Sequence, residues 1–315
     1  MRFFGVSEML ALFRKRPVLI YRIGGAVGDQ LLISAVLDSV AEKYPNRPIW
    51  VICTYPELFL NNPSVDRMID FNSFGKFNKI IIKFILKCFK GRCAHQFAYQ
   101  GYDFLDYMRK SGENQNLIHA HSSHFITSRA SARPRLYIDD QELSEVLIKY
   151  ALPKSYVVFN IEAKTTFTPN KEWSRQNMLR VMEAVSEKIP VVLVGKENIE
   201  EFCAPNATSL CGQTTLRELC CIVAGSDYLV AYEGLLNHVA AALDRRSIVI
   251  KGGFTNNVIC EYPLTEIIEQ KSMPKCYNCW ALSHCQNNRE CFAELDVKYV
   301  LAKIFRYLGI STNEY

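Results

Sequence analysis

No apolar run in this chain reaches the length that a membrane-spanning helix needs, so an integral helical membrane protein is not expected. Short repeats and low-complexity tracts are missing, which argues against solenoids and disordered linkers. Neither sign of charge is in large excess. A net charge of +5 suits anionic ligands or an anionic surface and does not call for nucleic acid as a partner. A secretory leader is also not indicated. The opening MRFFGVSEMLALFRKRPVL carries acid and base inside its apolar part and has no small-residue cleavage site. A cytoplasmic chain is therefore expected, peripheral at the inner membrane face at most, with its twelve cysteines mostly reduced.

What is present is enough for two cores. At 315 residues and 49% hydrophobic content the chain suits two domains. Strand-like and helix-like stretches alternate. Pro17–Ile23, Ile49–Cys53 and Val65–Phe71 read as extended, and Leu31–Tyr44 and Tyr55–Asn62 as helical. Later, strands are expected at Tyr156–Ile161, Pro190–Val194, Tyr228–Ala231 and Ser247–Ile250. Helices are expected at Ser174–Lys188, behind a serine cap, at Thr215–Ala224 and from near His238. Such alternation implies mainly parallel sheets with helical crossovers. LPKSY interrupts the pattern, dividing the chain into 1–152 and 153–315. A last helix, about Asp296–Leu308, can pack back across the other domain.

Several residues carry possible chemistry. Gly24, Gly25 and Gly28 form a turn between the first strand and helix, with Asp29 behind them. A carboxylate at a strand's carboxyl edge can take a proton from an attacking hydroxyl, and it can equally just cap the helix. Lys171, in Lys171–Glu172–Trp173, is either a solvated loop lysine or a cation for a diphosphate leaving group. Glu233, Gly234 and His238 lie where a strand runs into a helix. There free backbone N–H groups can hold phosphate and the acid can hold sugar hydroxyls. Cys276, Cys279, Cys285 and Cys291 follow C-x2-C-x5-C-x5-C. This spacing suits a structural zinc or iron ion, a reduced loop, or two disulfides in an oxidising compartment. His119, His121 and His124 form HAHSSH without a nearby carboxylate, which argues against a metal site and leaves acceptor contact open. Lys76–Arg92 is basic and apolar, with Lys79, Lys83 and Lys87 at helical spacing. It reads either as a surface helix with a wide buried face or as a helix lying on an anionic leaflet.

Four segments, in order, resemble glycosyltransferase family 9, the ADP-heptose:lipopolysaccharide heptosyltransferases. IGGAVGDQLLISAVL resembles the family's glycine turn with its GD dipeptide, and NKEWS its K-x-W-P segment. GQTTLRELCCIVAGSDYLVAYEGLLNHVAAAL resembles the stretch ending in D-S-G-x-x-H-l-A-A-A-L. The cysteine cluster resembles one found in some members. The resemblance implies a GT-B architecture, two Rossmann-like domains facing a central cleft, with the acceptor in the first and the nucleotide sugar in the second. It implies inversion without a catalytic cofactor. By the same resemblance Asp29 is the base, beside an acceptor-side loop with Gly25 and Gly28. Lys171, Glu197, Glu233, Gly234, Leu235 and His238 bind the donor, Glu197 at its ribose. The expected activity is heptose transfer from ADP-heptose to a lipopolysaccharide-core or other envelope glycan or glycolipid. A protein acceptor of the autotransporter type, a non-catalytic nucleotide-sugar-binding subunit and a sugar-nucleotide epimerase are alternatives. The departure of Glu233–Gly234–Leu235 from D-S-G touches donor identity more than transfer chemistry.

Overall fold

A computed structural model describes residues 16–98, 104–105, 108, 116–122, 125, 130–163, 167–197, 204–259 and 261–311. Of the sequence motifs, His124 lies outside these residues, as do Cys203 and Cys260. The chain forms two compact units. One comprises residues 1–104 and 117–137, the other 105–116 and 138–315.

The first unit begins with β1 (Val18–Tyr21), α1 (Val27–Leu31) and α2 (Ser34–Lys43). It continues through β2 (Ile49–Cys53), β3 (Arg67–Asp70), α3 (Lys76–Cys88), β4 (Ala94–Gln96) and α4 (Leu117–Ser122). All strand pairs are parallel, in the order β3-β2-β1-β4. VLIY and IWVIC are buried along their whole length, as strands covered on both faces must be. Leu19, Trp50, Ile52 and Ile69 of the sheet pack on Ile82 and Leu86 of α3. Tyr55–Asn62, expected as a helix, yields only a 3-10 turn at Pro56–Phe59, because Pro63 lies too close for more.

The second unit contains α5 (Asp140–Lys149), β5 (Val157–Asn160), α6 (Arg175–Ser186), β6 (Val191–Val194) and β7 (Ala207–Ser209). After these come α7 (Leu216–Gly225), β8 (Tyr228–Tyr232), α8 (Leu235–Ala242), β9 (Arg246–Ile250), β10 (Thr265–Ile268) and α9 (Val297–Leu308). Its six strands are parallel, in the order β10-β9-β8-β5-β6-β7, with the reversal of strand order between β5 and β8. Doubly wound sheets bind their ligands at the carboxyl end of such a reversal.

The passage between units falls at 137/138, earlier than LPKSY. The reason is that α5 packs on α7. Arg217 grips Glu142 through two hydrogen bonds, at 2.6 and 2.7 Å, and Lys149 bonds Glu218. The last helix also differs from expectation. Val300, Leu301, Ile304 and Phe305 of α9 pack against α6 and β10 of its own unit. That amphipathic face finds its apolar partners locally. Among the described residues no helix is long and apolar enough to cross a membrane.

Candidate functional site

In the first unit, Asp29 sits in the first turn of α1, directly after the glycine turn that ends β1. Its carboxylate pairs with Arg22 at 3.1 Å and accepts the Ala26 amide at 3.3 Å. Arg22 is itself aimed by donating to the Phe97 carbonyl, 3.0 Å away. Gly25, at φ 87°, is held in the left-handed region, and a Cβ there would lie 3.3 Å from the Arg22 guanidinium. Gly28 is buried inside α1. The Gln30 side chain donates to Gly24 O and accepts from Thr54 N, pinning the turn to the end of β2.

His121, of the HAHSSH run, belongs to this neighbourhood. Its ring stacks on Phe104 at 5.3 Å and leans on Phe97 at 5.7 Å. Burial, reinforced by the Arg22 charge and opposed by Asp29, lowers its pKa to about 4, so the ring is neutral at pH 7. His119 is exposed.

In the second unit, Lys171 ends a 3-10 turn, Pro169–Lys171, after β5. Its ammonium lies 2.6 Å from the Glu233 carboxylate, which follows β8. The two residues therefore meet across the strand-order reversal. The lysine also faces the rings of Phe254, at 5.0 Å, and Phe167, at 5.7 Å. The Thr255 hydroxyl donates to the other Glu233 oxygen. Burial alone would push the Glu233 carboxyl up. Lys171, Lys251 and these hydrogen bonds outweigh it and hold the acid below its ordinary range, hence ionised.

Gly234 caps α8 at φ 159°, ψ −151°, a conformation nearly confined to glycine, and a Cβ there would meet nothing within 4 Å. The helix therefore starts at Leu235, a full turn before the start expected near His238. Its first amides stand beside the Lys171–Glu233 pair in sequence and space, the arrangement that suits an anion. His238 is buried, and its Nδ1 lies 2.6 Å from the Tyr262 hydroxyl, so the ring is committed to the fold. Glu197 is exposed in the bend after β6.

Sequence reasoning passed over Arg22, Thr255, Lys251 and Glu162, none of which lies in a recognisable spacing. Lys251 is fully buried, donating to Thr255 O at 2.7 Å and Asn257 Oδ1 at 2.9 Å. Glu162 follows β5 and accepts the Lys196 amide at 2.9 Å. Its other oxygen is buried without a hydrogen bond.

The cysteine loop frames this site. Thr168 and the Asn170 side chain, flanking Lys171, both donate to Ala281 O, and Asn170 also to Ser283 O, at 2.7–2.8 Å. On the opposite side, Asn278 N and Cys279 N donate to Gly253 O, and Trp280 N to Phe254 O. All ten described cysteines are free thiols. Burial pushes the Cys279 and Cys291 thiols up, and nearby thiols of the cluster add to that push at both. Among the described residues no group of three or more His, Cys, Asp or Glu side chains is gathered as a metal ion would need. The donor set still suits a thiolate-bound ion, because four such side chains share one loop.

Residues 114–266 match glycosyltransferase family 9 (heptosyltransferase). No curated protein sequence matches the chain. Among solved structures, ADP-heptose lipopolysaccharide heptosyltransferase II of E. coli superposes with a TM-score of 0.63. The identity is 16%, over 92% of this chain and 98% of that one. A family 9 glycosyltransferase from Veillonella parvula gives 0.67 at 12% identity, over 92% and 96%. The iron-containing dodecameric glycosyltransferase TibC from enterotoxigenic E. coli gives 0.63 at 14%, over 93% and 76%. The two parallel α/β sheets thus belong to a GT-B-like fold shared with these enzymes.

Proposed function

We propose that this chain, whose residues 114–266 match glycosyltransferase family 9, is a glycosyltransferase that transfers heptose from ADP-heptose, with inversion, to a hydroxyl of a lipopolysaccharide-core or other cell-envelope glycan. The observation that carries the reading is the Lys171–Glu233 pair beside the start of α8. It sets a cation and free amides where a diphosphate leaving group needs them.

In this reading Asp29 accepts the acceptor's hydroxyl proton as the oxygen attacks the anomeric carbon. The sugar–phosphate bond breaks and ADP leaves. Arg22 keeps the Asp29 carboxylate aimed. Lys171 and the amides of Gly234–Leu236 take up the charge that grows on the diphosphate. Glu233 and Thr255 hold Lys171 in place until the donor arrives. Glu197 meets the donor ribose, and His238 shapes α8 through Tyr262.

The test is nucleoside-diphosphate release from a panel of sugar nucleotides, ADP-heptose included, with cell-envelope extract as acceptor and Asp29→Asn alongside. Release from ADP-heptose that needs both extract and Asp29 supports the reading. Label arriving on protein instead of glycan moves the acceptor to the autotransporter type. Donor binding without release leaves a nucleotide-sugar-binding subunit.

A second reading concerns the cysteine loop. We propose that Cys276, Cys279, Cys285 and Cys291 take up a structural zinc or iron ion, supported by the four-thiol donor set. Its role would be to fix the loop that flanks Lys171, since four protein ligands leave no position for substrate. Elemental analysis of the purified chain decides it: about one ion per chain supports the site, and none removes it.

A further inference from the structure

Helix α3 covers one face of the first unit's sheet with Ile82 and Leu86 and turns a second apolar face outward. Phe77, Ile80 and Phe84 are 73%, 65% and 67% exposed. They recur at i, i+3 and i+7, so they form one ridge about two turns long. Other large exposed apolar side chains, such as Ile148, Phe167 and Leu264, lie apart in the sequence on other segments. A helix of thirteen residues that buries one apolar face and bares another is not explained by folding.

The charges beside the ridge are all of one sign. Lys76, Lys83, Lys87 and Lys90 are exposed, and no Asp or Glu occurs from residue 71 to 102. Lys79 and Lys83 lie over the Phe71 ring, at 5.6 and 5.8 Å, which holds their ammonium groups to one side of the ridge. The nearest preceding acid, Asp70, is engaged in accepting the Asn72 amide. Aromatic and aliphatic side chains bared along a helix, with lysines at its flanks, match the boundary between acyl chains and anionic headgroups.

We propose that α3 is a membrane-docking helix. Phe77, Ile80 and Phe84 enter the acyl boundary of an anionic leaflet, and the lysines meet its headgroups. The lysine spacing seen in the sequence is therefore the helper, and the aromatic ridge between the lysines is the anchor. The inference does not depend on which sugar nucleotide is the donor. It would hold for any enzyme whose acceptor is lipid-linked and would bring the first unit to that acceptor's surface.

The experiment is vesicle flotation of the full chain with phosphatidylcholine vesicles and with vesicles containing one-quarter phosphatidylglycerol. Binding is expected with the anionic vesicles and to weaken about tenfold or more without the anionic lipid or in high salt. Phe77→Ser with Ile80→Ser and Phe84→Ser should lower binding about tenfold or more, with an unchanged melting temperature because these side chains lie outside the core. Lys83→Gln alone should lower it by a smaller factor, about fivefold. Equal flotation of wild type and the triple variant would overturn the proposal, as would no binding by wild type. So would a dimer in light scattering that the triple variant splits, since a second copy would then own the ridge. Loss of binding on deleting residues 1–15 while the triple variant still binds would also overturn it.

Discussion

Each unit has one ion pair among its candidate site residues, and the two are built differently. Arg22–Asp29 is the looser, at 3.1 Å, with the Asp29 side chain 28% exposed and one oxygen shared with a backbone amide. Lys171–Glu233 is the tighter, at 2.6 Å, with Glu233 only 6% exposed, a threonine on its second oxygen and two aromatic rings around the lysine. An acid that must exchange a proton with an incoming hydroxyl has to be reachable. One that must hold a fixed charge gains from enclosure, provided that it is fully paired. The contrast supports the proposed division of labour, proton transfer at the first pair and charge placement at the second.

The sharpest way to break that contrast is Asp29→Asn. Turnover should fall about a thousandfold while donor affinity stays within about twofold, read by product formation and by calorimetry with donor. A large loss of donor affinity would put Asp29 on the binding side. Next in size is the cost to the fold. Glu233→Ala leaves Lys171 and Lys251 facing a buried gap and should destabilise by about 3 kcal/mol in denaturant melts. Arg22→Ala, which leaves a partly exposed carboxylate, should cost about 1 kcal/mol. The reverse order would overturn the comparison.

Acid should sharpen it further. His121 and His95 are both lowered to about 4 by burial. Unfolding lets each bind a proton near its ordinary pKa of about 6.5. The unfolded chain thus holds more protons between those values. Stability is full above about pH 6.5 and is lost as pH falls toward 4, by up to about 3 kcal/mol per histidine. His121→Phe should flatten part of that fall in melting temperature across the window, and an unchanged slope would count against the buried neutral ring. The smallest effect is expected at Glu197→Ala. Losing an exposed ribose contact should lower donor affinity by about fivefold, and unchanged affinity would take the ribose site away from the bend after β6.

How far the sequence could be read follows from the kind of signal. Ile49–Cys53 was legible to the residue, because an apolar run flanked by Pro48 and Thr54 has sharp ends. Ser174 as a cap was legible because capping is local, and its side chain accepts the Asn177 amide. The start of α8 was misplaced because Gly234 at its cap leaves no side-chain signature. The fate of α9 was hidden because an amphipathic stripe says that a partner exists, not which one. At the site, the single residues could be named from motif spacing. The pairing of Lys171 with Glu233 could not, since only the order of β5 and β8 in the sheet brings them together. Thr255 and Lys251 had no motif to betray them.

One consequence of the cysteine loop remains. The same short segment is hydrogen-bonded to the turn that carries Lys171 and to the strand-end that carries Phe254 and Thr255. In the proposed reading it works as a yoke across the two arms of the donor's anion clamp. A displacement anywhere in the yoke moves both arms at once, so gentle alkylation of its thiols would be felt as a graded loosening of nucleotide grip, long before the sheet beneath it notices.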